Sequence, residues 1–193
     1  MKSTERIQKL RNNIETMVET VTHEFIALPQ ADLNRKESET SWSILECLEH
    51  LNRYSRYYNA RMADALDKLK PRVGDAHAEA RSTWLGRKFI AMMHPSNMKK
   101  QKTLKHMNPA NSALTSAVID EFLHHQKTLL VLLARASAFN LSQGSVPVEF
   151  LKLLRMNLGD ALEFVTVHQQ RHVRQALRAK AQNTHRHEPA LKI

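Results

Sequence analysis

Apolar residues recur every three or four positions over four stretches of the chain, the signature of amphipathic helices. In the first, Ile7, Leu10, Ile14, Val18, Val21 and Phe25 share a face, predicting a helix from about Ser3 to Leu28, capped by Ser3 and Thr4 and stopped by Pro29. A polar linker, 30–40, follows. Ser43 with Glu46 three residues on is a capping-box pattern. It opens a second helix whose stripe of Ile44, Leu48, Leu51, Ser55, Tyr58, Met62, Leu66 and Leu69 runs to Pro71. Residues 74–109 are irregular, apart from a short amphipathic helix predicted over Trp84–Met93 and ended by His94-Pro95-Ser96-Asn97. The basic stretch from Met98 to Met107 reads as a loop. A third helix is expected from Asn111 or Ser112, with Val118, Phe122, His125, Leu129, Leu132 and Ala136 inward. After a turn at 140–147, a fourth should span Val148 to Ala181, bent where Asn157, Leu158 and Gly159 weaken it, before a frayed tail at 182–193. The predicted fold is all-α: a single 193-residue domain, a four-helix bundle with a long connection containing a short helix between helices two and three.

Composition supports this and narrows the setting. Four glycines and six prolines are few for a turn-rich β protein. Cys47 is the only cysteine, no apolar run approaches the ~20 residues of a membrane span, and no secretory leader opens the chain. A cytoplasmic protein with no membrane partner is the expectation. The formal charge of +10 is unevenly distributed. Ala80 to Ile119, which includes the connection at 80–113, holds no acid against Arg81, Arg87, Lys88, Lys99, Lys100, Lys102 and Lys105. A second acid-free run after Glu163 carries Arg171, Arg174, Arg178, Lys180 and Arg186. Basic surfaces of this kind suit anionic small molecules or nucleic acid, and charge alone does not choose between them.

The chemistry concentrates on the fourth helix. Leu154, Leu158, Ala161 and Val165 define an apolar stripe, and His168 and His172 continue it inward. Histidine pairs at this spacing arise easily in a chain with 11 histidines, so the weight lies in the position. Two buried imidazoles one turn apart share a divalent cation more easily than a proton. A reactive site needs a third ligand from elsewhere, and His50 and His125 are the candidates. His50 flanks the stripe of its helix beside Cys47 and Tyr54, whereas His125 lies on the stripe of the third helix. Glu46, Glu49, Tyr54, Gln169 and Gln175 are candidates to orient the imidazoles. Gln169 and Gln170 between the paired histidines disfavour zincin peptidase chemistry, which needs Glu after the first histidine. One nearby carboxylate, Glu163, is too few for a ferritin-like di-iron centre. Cys47 reads as a core filler, Met92, Met93, Met98 and Met107 as packing, and Trp84, Leu85, Phe89 and Ile90 as the inner face of the short helix.

Trp42-Ser-Ile-Leu-Glu-Cys-Leu-Glu-His50-Leu on one helix, with His168-Gln-Gln-Arg-His172-Val-Arg-Gln on a later one, resembles the DinB-like superfamily of four-helix metalloproteins. The basic Arg87–Pro109 connection is similar to the corresponding family stretch, and the likeness covers Trp42 to about Arg178. The resemblance implies that His50, His168 and His172 together bind a divalent ion, Zn²⁺, Ni²⁺ or similar. It also implies an enzyme: characterised members include transferases using low-molecular-weight thiols such as bacillithiol or mycothiol, and a thiol-dependent isomerase. On that reading Lys99, Lys100, Lys102 and Lys105 would hold carboxylates of the thiol cofactor. A metal-hydroxide hydrolase would use the same ligands with water in place of thiol. The competing class is a non-catalytic, metal-stabilised bundle that binds nucleic acid or a protein through its basic surfaces. Against it, the chain lacks aromatic interleaving in the basic runs and a helix-turn-helix. The expected partners are therefore an anionic small molecule and a second copy in a homodimer, with nucleic acid left open.

Overall fold

The computed structural model describes residues 1–97, 99 and 101–185. Four long helices form the body: α1 (Ser3–Phe25), α3 (Ile44–Asp67), α5 (Ala117–Ala136) and α6 (Leu158–His185), with two short ones, α2 (Gln30–Asn34) and α4 (Trp84–Met93), between them. The architecture is an all-α bundle with one small hairpin, β1 (Val146–Val148) and β2 (Leu151–Met156). Cross-helix contacts give the directions. Arg6 meets Asp160 and Glu163 while Glu24 meets Lys180, so α1 runs parallel to α6. Asn52 reaches Val118, Asn59 reaches His125 and Asp67 pairs with Arg135, so α3 and α5 are parallel neighbours. His50 faces His168 while Tyr58 faces Phe164, which makes α3 antiparallel to α6. Two adjacent parallel helices require a connection that travels back along the bundle, about 36 Å for a 24-residue helix. This is what the long basic connection does.

Local chemistry fixes most of the helix starts. Glu46 N–H donates to Ser43 Oγ at 3.1 Å and Ser43 N–H to Glu46 Oε2 at 3.0 Å, the capping box read from the sequence. Thr83 caps α4, its hydroxyl accepting Gly86 N–H at 2.9 Å. Ser3, expected as a cap, is instead the first helical residue. Its hydroxyl donates to the Ala78 carbonyl and accepts Leu141 N–H, tying two loops to α1. Met17, not Val18, completes the buried stripe of α1.

Two boundaries differ more substantially. The third helix begins at Ala117, not at 111–112. Asn111 adopts φ +63°, a left-handed conformation incompatible with a helix start, and its N–H donates to the buried Glu46 carboxylate at 2.7 Å. The fourth begins at Leu158, and the segment read as its first turns is the hairpin. Val146, Val148 and Met156 turn inward while Leu153 is 98% exposed, so Leu154, expected on the helical stripe, lies on a strand. Asn157, read as a bend, is the cap: its side-chain oxygen accepts Asp160 N–H at 2.7 Å. Gly159 permits close packing there, since a Cβ would stand 2.9 Å from that of Leu141. The polar linker also gains order, because Leu33 buries itself from the single turn of α2.

Candidate metal centre

Three turns of α3 and three of α6 build the site. His50, Tyr54 and Tyr58 lie four residues apart on one face of α3, and Phe164, His168 and His172 do the same on antiparallel α6. The crossing places all three imidazoles in one group, one nitrogen from each lying within 4.8 Å of the others. Ring centroids are separated by 5.1 Å (His50–His168), 4.5 Å (His50–His172) and 4.8 Å (His168–His172). His50 and His168 are each 3% exposed, and His172 is partly buried at the open side.

Aromatic rings wall the group. Trp42 stacks on His172 at 5.6 Å and leans on His50 at 4.8 Å. Tyr54 packs edge-on against His168 at 4.6 Å and lies 5.0 Å from His50, and Phe164 stacks beneath His168 at 6.0 Å. Burial in these walls disfavours the protonated imidazole. It pushes His50 down to about 4, and burial with neighbouring imidazole charge holds His168 and His172 well below the usual range. All three are therefore neutral at pH 7, the form that ligates metal.

Hydrogen bonds orient the rings. The Met107 carbonyl can only accept, so His50 Nδ1 carries a hydrogen and donates it over 2.8 Å, leaving the Nε2 lone pair facing inward. That lone pair lies 3.2 Å from Nε2 of His168. His172 Nδ1 sits 3.0 Å from the side-chain oxygen of Gln175, with the same consequence for its Nε2. Neutral nitrogen donors converging from two rigid helices, the outer nitrogens of His50 and His172 held by oxygen acceptors, are an arrangement compatible with a divalent metal ion.

A profile of the DinB superfamily matches residues 13–176. The chain belongs to the DinB superfamily. That match contains all three histidines and runs from within α1 to within α6. No curated protein and no solved structure matches the chain significantly.

Within this DinB-superfamily bundle the other candidates separate. His125 stands apart on α5, its Nε2 3.2 Å from Glu121 in a network with Arg56. Glu46 serves the α3 cap and Lys36, Glu49 pairs with Arg53 and Arg56, and Gln169 turns toward Ser55 at 3.4 Å. Only Gln175 and Tyr54 of the five proposed orienting residues touch the imidazoles. Cys47 is fully buried, which pushes its thiol up and makes it an inert filler. Lys99, Lys102 and Lys105 are exposed on the connection, and Lys100 lies outside the described residues.

The connection itself is strapped over the site. Arg171, between the paired histidines, donates to the carbonyls of Asn97 and, at 2.8 Å, Lys99. Arg53 donates to the carbonyls of His106 and Asn108 at 3.1 and 3.0 Å. Met107 O thus reaches His50 from a short 3₁₀ turn at Lys105–Met107. Sequence reasoning had no means of finding this acceptor, because a main-chain carbonyl has no side-chain signature. It also missed Glu149 in the hairpin turn, which lies 2.5 Å from His106 Nε2. The negative charge of Glu149 adds to burial in pushing Tyr54 up to about 12.

Proposed function

We propose that the protein is a metal-dependent enzyme in which His50, His168 and His172 bind one divalent ion and leave a position open to a thiol or water. The observation that supports this most is the inward-facing Nε2 of His50, fixed by the Met107 carbonyl and only 3.2 Å from Nε2 of His168. Two imidazole nitrogens at that separation need either a hydrogen or a shared cation between them. When bound, the ion supplies the Lewis acidity that lowers the pKa of a thiol or water brought to it.

The chain's own residues do the rest. Three neutral ligands leave a dication its full charge, which favours an anionic fourth ligand. Trp42, Tyr54 and Phe164 exclude water from the imidazoles and so strengthen that attraction. Lys99, Lys102 and Lys105 add a basic rim for a carboxylated thiol. We favour thiol transfer over hydrolysis on that charge argument.

Cobalt substitution tests the reading. Millimolar carboxylated thiol should produce a sulfur-to-cobalt charge-transfer band in the intact protein and none in His168→Ala. Absence of a band with any physiological thiol, together with salt-sensitive binding of DNA or RNA at micromolar protein, would replace the enzyme with a binding module.

A further inference from the structure

The turn between β1 and β2 holds a carboxylate that the histidine site does not use. Glu149 is 8% exposed, and its Oε1 lies 2.5 Å from His106 Nε2. Its Oε2 is buried with no hydrogen-bond partner. Taking a carboxylate oxygen out of water without a donor is strongly unfavourable, so this oxygen calls for a donor that the described residues do not supply.

Two chains of contact tie Glu149 to the histidines. Along α3, its N–H donates to the Tyr58 hydroxyl at 3.2 Å, Tyr58 stacks at 6.2 Å on Tyr54, and Tyr54 packs on His50 and His168. Along the connection, His106 immediately precedes Met107, whose carbonyl holds His50. His50 and Tyr58 are eight residues apart, about 12 Å of helical rise. Glu149 therefore stands at the far end of a tyrosine floor, several bonds from anything held at the imidazoles.

We propose that Glu149 receives the protonated amine of a ligand whose thiol is held at His50, His168 and His172, which makes the substrate class an amine-bearing thiol with sulfur and nitrogen several bonds apart. A carboxylate only accepts, and a cationic N–H donor gives the strongest bond available to it. His106 and Glu149 alone are too few ligands for a second metal. The proposal rests on the thiolate reading of the histidine site and adds the polarity of the other end of the ligand.

Cobalt-substituted protein separates the two. In the charge-transfer titration, 6-aminohexane-1-thiol should bind at least about tenfold more tightly than hexane-1-thiol. Glu149→Gln should cut that preference below about twofold while leaving the affinity for hexane-1-thiol unchanged. His106→Leu, which removes the competing donor, should keep or enlarge it. Equal affinities in the unaltered protein, or a preference that survives Glu149→Gln, would overturn the amine site alone. A Glu149→Gln protein that loses both thiols equally, with a lower melting temperature, would show a purely structural carboxylate. No band with either thiol would overturn the thiolate reading and this proposal together.

Discussion

Acid should destabilise the metal-free protein through its three buried histidines. An unfolded histidine titrates near ~6.5, whereas burial lowers all three in the folded chain, His50 to about 4. Below ~6.5 the unfolded state therefore binds more protons than the folded state, and stability falls with falling pH. The contribution is fully present above the unfolded value and is lost as the pH drops toward the folded one. For a histidine held neutral throughout, the loss between pH 7 and pH 5 is about 2 kcal/mol. Three together give about 6 kcal/mol, comparable to the whole stability of many domains. Urea unfolding of chelator-treated protein at pH 7, 6 and 5, followed by circular dichroism, measures it. A His50→Gln/His168→Gln/His172→Gln variant provides the background from the carboxylates and remaining histidines. The midpoint of the unaltered protein should fall much more steeply than that of the variant. Equal pH slopes would show that the histidines are not held neutral by burial, and the account of the site's electrostatics would be wrong.

Other predictions concern the scaffold. Asp160, fully buried, accepts from Arg6 at 3.1 Å and from Thr83 N–H and hydroxyl at 2.9 and 3.0 Å. Asp160→Ala should cost about 2–4 kcal/mol, because it strips one of the two counterions of a buried guanidinium, leaving Glu163, and takes the acceptor from Thr83 N–H and hydroxyl; a loss below about 1 kcal/mol in urea would refute that role. Gly86→Ala places a Cβ 2.0 Å from the same carboxylate, and it should cost about 2–3 kcal/mol despite the better helix propensity of alanine. Combined with Asp160→Ala its cost should shrink but not vanish, since the carboxylate is gone while the Cβ of residue 160 still stands 2.7 Å from the added one. Chelation should lower the melting temperature without loss of the helical circular-dichroism signal, because α1, α3, α5 and α6 bury a core independent of the imidazoles. Unfolding on chelation would contradict this.

How legible the molecule was in its sequence depended on the range of the interaction. The Ser43–Glu46 box and the Thr83 start of α4 are decided within a few residues, and the stripes of α1, α3 and α5 within a few turns. The hairpin was not legible, because Val148 to Met156 is rich in residues that suit either a helix or a strand. The choice falls to Asn157 capping α6 and to Gln143 and Leu141 accepting the N–H groups of Leu158 and Gly159. Asn111 could not be placed without knowing that Glu46, 65 residues away, takes its N–H. The histidine pair was legible from its own stripe. His50 was legible only through the resemblance of its whole motif, because its burial depends on Trp42, Met107 and α6 closing over a flank of α3. Glu149 and the Met107 carbonyl depend wholly on tertiary structure.

The central claim is that His50, His168 and His172 hold one divalent ion. Elemental analysis of protein purified without a histidine tag, by plasma mass spectrometry after exhaustive dialysis, tests it most directly. The account predicts about one equivalent of a borderline ion per chain, most of it lost in His168→Ala, His172→Ala or His50→Ala and retained in His125→Ala. Metal that persists in His50→Ala but disappears in His125→Ala, or protein that holds no ion at any concentration of Zn²⁺ or Ni²⁺, would contradict it.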